Sequence, residues 1–175
     1  MQQLPVLALS LKTYRWLNLI GFKIIWIALM IFQNRVLVPV LCFAFLVFMV
    51  NPQKRQAFKL LLGIAIAGMV IDSFLSLNGV FVFPYAQLIP LWLCVLWIAF
   101  AMTLPYGFAF VGKLTPLIQS IIGVAASFTY LIGLNLGAVE YTYSLILTQI
   151  LLAIIWGGLL PLAYLYINTI KRVSS

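Results

Sequence analysis

Long apolar runs separated by short polar turns organise this 175-residue chain. A bilayer crossing needs about 20 largely apolar residues. The runs fall at about 14–32, 33–50, 60–81, 87–105, 117–136 and 143–167, which predicts six transmembrane helices. Gln33-Asn34-Arg35 forms the first polar turn, and Asn51 to Gln56 the clearest loop. Phe83-Pro84-Tyr85 and Gly137 to Tyr141 mark two further turns, while Tyr106 to Pro116 reads as a loop with a short interfacial helix. Pro161 lies inside the last run and predicts a kink, whereas Pro39 and Pro90 fall in first turns, where proline is tolerated. No polar stretch is long enough for a second domain. The expected fold is an all-α polytopic membrane bundle occupying residues 1–175 as one domain.

Composition removes the soluble alternative. Hydrophobic residues make up 66% and charged residues 7%, against roughly a quarter charged in soluble domains. Mean hydropathy is +1.21. The net charge of +8 sits in short clusters at the ends of apolar runs, a topology signal rather than a nucleic-acid footprint. With the N-terminus inside, Lys12, Arg15, Lys54, Arg55, Lys59, Lys113, Lys171 and Arg172 all face the cytoplasm, and only Arg35 lies outside. Both termini are therefore expected in the cytoplasm. The first run reads as a retained helix rather than a signal peptide, because Lys23 interrupts it and no small-residue cleavage site follows. The bilayer is the expected partner, and nucleic acid is not.

Histidine is absent, which removes histidine-built metal sites and Ser-His or Cys-His nucleophile pairs. Cys42 and Cys94 stand far apart inside apolar runs and read as small buried hydrophobes. No cofactor or metal is expected.

An ionisable residue in mid-span is expensive and is a functional candidate by default. Two qualify. Asp72 lies about 18 Å from the inner end of its run, and Lys23 differs from it in depth by about 5 Å. An Asp72–Lys23 ion pair inside the bundle is one expectation. Ala65, Gly68, Asp72, Ser76 and Gly79 recur at helical steps on one small, polar face, opposite Ile66, Val70, Phe74 and Leu77. Such a face either packs closely on another helix or borders a narrow cavity. Asn18 and Asn78 join Asp72, Lys23 and Ser76 as candidate ligand-binding residues. Asn135, Gln119 and Gln149 read as helix-to-helix hydrogen bonders. Ala126, Tyr130, Gly133 and Gly137 form a contact face on the fifth run, and Glu140 reads as a loop carboxylate.

Several short blocks carry a resemblance. They are Trp16-Leu17-Asn18, Gly68-x-x-x-Asp72-Ser73, Gly79-Val80-Phe81, Pro90-Leu91-Trp92-Leu93, Leu96-Trp97-x-x-Phe100-Ala101-x-Thr103-Leu104 and Leu136-Gly137-Ala138-Val139. In their order the chain resembles an uncharacterised family of bacterial membrane proteins, domain of unknown function 2878. The resemblance implies a short multi-pass protein of bacterial inner membranes and carries no activity. Neither Lys23 nor the loop around Lys113 falls in these blocks.

Three functions are compatible with this pattern. The first is a small transporter or binder of a small or lipid-like molecule at a midplane polar site. The second is a partner of another membrane protein, with polar residues that only lock helices together. The third is an intramembrane lipid-modifying enzyme using Asp72 as acid or base, which the scarcity of carboxylates disfavours. No catalytic residue is assigned.

Overall fold

A computed structural model describes residues 9–84, 86 and 88–173. Tyr85, expected in a turn, and Gln87, expected to open the fourth run, lie outside the described residues, as do the outermost residues of the single domain. The helices are α1 (Leu11–Phe32), α2 (Leu37–Met49), α3 (Lys54–Leu77), α4 (Leu91–Thr103), α5 (Pro116–Ser127), α6 (Thr129–Asn135) and α7 (Leu145–Val173). A two-stranded antiparallel ribbon pairs β1 (Phe81–Val82) with β2 (Glu140–Tyr141).

Local chemistry sets the ends of these helices. The Ser10 hydroxyl accepts from the Thr13 amide at 3.1 Å and caps α1, and Thr115 with Pro116 opens α5. Gln33 has φ +50, a left-handed backbone, and stops α1. A 3₁₀ turn over Gln33–Val36 then reverses the chain. Gly21 of α1 faces Phe43 and Val47 of α2, so α1 and α2 form an antiparallel hairpin. α3 starts at Lys54, inside the stretch expected as loop, while α4 waits until Leu91 because Pro90 precedes it. The fifth run is split at Phe128. Ser127 and Thr129 donate back to the carbonyls of Val124 and Ala126, each at 2.7 Å, and such bonds compete with the helical ladder.

Four stretches are long and apolar enough to cross a membrane: Leu11–Met49, Gln56–Leu77, Pro116–Asn135 and Leu145–Arg172. Leu91–Thr103 is apolar but shorter. The outer surface is built of side chains such as Ile66, Val70, Phe74, Ile121, Ile154 and Leu162, all largely exposed. A continuous apolar exterior of this kind calls for lipid. Cys42 belongs to this exterior and not to the core, which corrects the expectation of a buried thiol. α2 offers its inner face through Val40, Ala44 and Val47 instead.

α4 is the central helix, packed by α1, α2 and α3. Its sequence is apolar on all sides, as a helix buried all round must be, and Trp92, Leu93, Val95, Trp97, Ala99 and Ala101 are buried. At one end of the bundle Tyr14 meets Tyr106 edge-on, Tyr164 donates to the Phe108 carbonyl, and Tyr166 donates to that of Lys59. At the other end Asn34 accepts from the Trp92 amide at 3.1 Å, beside the ribbon. α5 lies against α7 and α3 against α7, but α1 and α5 do not form a packed pair. Among the amides, Gln149 reaches across from α7 to Ser127 of α5 at 2.8 Å, whereas Asn78 and Asn135 bond back to their own helices.

The α5–α7 contact depends on Gly123, where a Cβ would strike the backbone carbonyl of Trp156. A Cβ on Gly158 would meet nothing. Gly123→Ala should destabilise the protein by about 1–3 kcal/mol, while Gly158→Ala should be neutral or gain up to about 1 kcal/mol. Unfolding of both variants in one detergent, followed by tryptophan fluorescence, separates these outcomes.

Candidate functional site

Asp72 sits in the last third of α3 and is fully buried. Its helical face, with Ala65 and Gly68, points into the bundle, while Ile66, Val70, Phe74 and Leu77 point out. The carboxylate is held from two other helices. Trp97 of α4 donates its indole N–H to Oδ2 at 2.6 Å, and Tyr130 of α6 donates its hydroxyl to Oδ1 at 2.7 Å. Gly68, one turn before Asp72, makes room for this: a Cβ there would collide with the Trp97 ring. Gly68-x-x-x-Asp72 is thus a seat for an indole, flat at one position and an acceptor at the next turn.

Trp97 and Tyr130 each present a ring to a common space. The Trp97 indole stacks on Trp156 at 5.5 Å between centroids and 15° between planes. Trp156 meets Tyr130 edge-on at 6.4 Å and Phe100 at 5.5 Å. Offset and edge-to-face pairs of this kind fix ring orientation. They form one wall of a cavity of about 480 Å³ between α1 and α4 on one side and α5–α6 on the other. That volume falls in the usual range for small-molecule sites. Phe22, Trp26 and Met30 of α1 line the facing side, and Phe83 and Trp92 close one end. Tyr141, on β2, lies near Tyr130. Burial pushes its phenol up to about 12, so it stays a neutral hydroxyl at ordinary pH.

The expected Asp72–Lys23 ion pair does not form. Both carboxylate oxygens are taken by Trp97 and Tyr130, and α4 stands between the two helices because α1 and α3 each pack on it. Lys23 is exposed and borders the cavity from the α1 side. Ser76 donates to the Leu88 carbonyl at 3.2 Å and fastens α3 to the segment leading into α4. Asn78 caps α3 by donating to the Phe74 carbonyl at 2.7 Å and is exposed. Asn18 is buried, donates weakly to the Tyr14 hydroxyl at 3.4 Å, and borders a crevice of only about 10 Å³. Of the five candidate residues, Lys23 alone lines the cavity, and Asp72 acts on it through two rings.

The sequence places Tyr130 on a contact face and Trp97 in a block of the resemblance, but the role of both as donors to Asp72 emerges only from the structure. Each is a hydrogen-bond donor in mid-span, and such donors need an acceptor where no water is at hand. That need was readable, although the partner was not. Among the described residues, no three of the Cys, Asp and Glu side chains come together.

The family model described as "Protein of unknown function (DUF2878)" matches residues 15–162. No curated protein and no solved structure matches the chain.

Removing the acceptor leaves an indole N–H and a phenol O–H unsatisfied, each costing about 1–3 kcal/mol. Asp72→Leu should therefore destabilise far more than Asp72→Asn, which keeps one acceptor oxygen. In a double-mutant cycle, Trp97→Phe and Asp72→Leu, each of which removes the bond, should be non-additive by about 0.5–3 kcal/mol. Additive effects would mean that the bond contributes nothing.

Proposed function

The chain belongs to the DUF2878 family of proteins of unknown function, and we propose that it binds or carries a small, lipid-like molecule in the cavity between α1 and α5–α6. The observation that carries this reading is the cavity itself: about 480 Å³, walled by aromatic rings, with a lysine on its border. A protein serving only as a packed scaffold has no use for such a void, since lining atoms without partners lose their dispersion contacts. Asp72 orients the rings that a ligand would touch, a positioning role. An acid–base role is less well supported, because the carboxylate is shielded by its two donors.

The setting we propose is a bacterial inner membrane crossed six times, with both termini in the cytoplasm. The α1–α2 hairpin supports two crossings from the long first stretch. The joining of the α3 and α7 ends near Lys59 and Tyr166 supports alternating direction. The basic residues concentrate at that same end of the bundle and support the orientation. α2 and α4 are about 20 Å long each, so both lean on their flanking turns to complete a crossing.

Two results follow. Reporter fusions to the C-terminus should fluoresce as a cytoplasmic green protein and fail as an exported phosphatase; the reverse pattern contradicts the orientation. A lipid-like molecule should co-purify with the protein and be recovered by extraction and mass spectrometry. It should be lost from Ala125→Trp, which blocks the cavity border, and retained by Gly158→Ala. Equal recovery from both variants contradicts the cavity as the site.

A further inference from the structure

We infer that the cavity takes a single-chain amphiphile with an anionic head, entering sideways from the bilayer, with Lys23 receiving the anion; this rests on the binding reading above. Three of the residues bordering the cavity, Lys23 on α1, Ala125 on α5 and Ile132 on α6, are also exposed on the outside of the bundle. The opening therefore lies on the flank, between α1 and α5, which do not form a packed pair. On a membrane-embedded bundle that flank faces acyl chains.

Lys23 is placed where a lysine has no ordinary use. It lies about 18 Å along the helix from Leu11 and about 14 Å from Phe32, farther than its four-carbon stem can carry the ammonium to either interface. Exposure to hydrocarbon there is costly without a counter-charge. The chain holds two carboxylates in all, Asp72 and Glu140. Asp72 has both oxygens occupied behind Trp97 and Tyr130, and Glu140 sits in the ribbon at one end of the bundle. Neither reaches Lys23, so the protein leaves the anion to be supplied by what enters.

Size narrows the class. At roughly 30 Å³ of liquid volume per water-sized group, the cavity of about 480 Å³ has room for about 16 methylene-sized groups. One acyl or alkyl chain fits, and a two-chain phospholipid does not. The rest of the lining is apolar apart from Thr129 and Tyr130, as a hydrocarbon tail requires. The tail would lie along Trp97 and Trp156 toward Trp92 and Phe83, with the head at the mouth.

The test uses the whole chain in nanodiscs of diacyl phosphatidylcholine, with tryptophan fluorescence as readout, since Trp26, Trp92, Trp97 and Trp156 all line the cavity. A brominated fatty acid of about 16 carbons should quench saturably, and the brominated alcohol of equal length should bind about tenfold more weakly, as loss of one charge-assisted bond implies. Lys23→Gln should lower the acid to the level of the alcohol, and Lys23→Arg should restore it. Equal binding of acid and alcohol to the unaltered protein would overturn the anion claim while leaving the cavity reading in place, and needs no variant. Saturable quenching by a brominated two-chain phosphatidylcholine would overturn the single-chain claim. No saturable quenching by any probe would overturn the binding reading itself.

Discussion

A buried carboxylate that holds two aromatic side chains is the constraint around which this bundle is arranged. Asp72 on α3 accepts one bond from α4 and one from α6, so α6, which otherwise touches α3 and α4 little, is registered against the closely packed α3–α4 pair through one acceptor. In water such bonds would be exchanged cheaply. In hydrocarbon the donors have no alternative, and leaving either unpaired costs more than the bond itself yields. The rings cannot relax into the empty space beside them without abandoning Asp72. The cavity and the acid are therefore two aspects of one arrangement.

The small residues follow from the same constraint. Gly68 lets the Trp97 indole lie flat against α3, and Gly123 lets α5 approach the backbone of α7. α5 is thereby committed to α7 rather than to α1. Space opens where α1 and α5 would otherwise meet. A close contact on one side of the bundle makes the gap on the other.

Much of the architecture was legible in the sequence, and the limits are instructive. The apolar runs, the Gln33 turn, the inward face of α3 and the special status of Asp72 all follow from periodicity and from the cost of charge in lipid. The partner of Asp72 did not. Depth along a helix put Lys23 within about 5 Å of it, yet depth is one coordinate, and which helices are neighbours is set by the other two. α4 occupies the place between α1 and α3, and its Trp97 supplies the donor. The break at Phe128 also escaped, because Ser127 and Thr129 look tolerable in an apolar run until their back-bonds are seen. Resemblance to a family without assigned activity placed Trp97 in a recurring block and gave no reason for it.

In the function proposed above, the space between α1 and α5–α6 is kept open for a guest from the bilayer. An experimental structure of the protein in a lipid nanodisc tests it most directly. Elongated density is expected beside Trp97 and Trp156, reaching the Lys23 ammonium, with Asp72 still bound by Trp97 and Tyr130. A structure in which α1 closes against α5 and fills that space with its own side chains would contradict it.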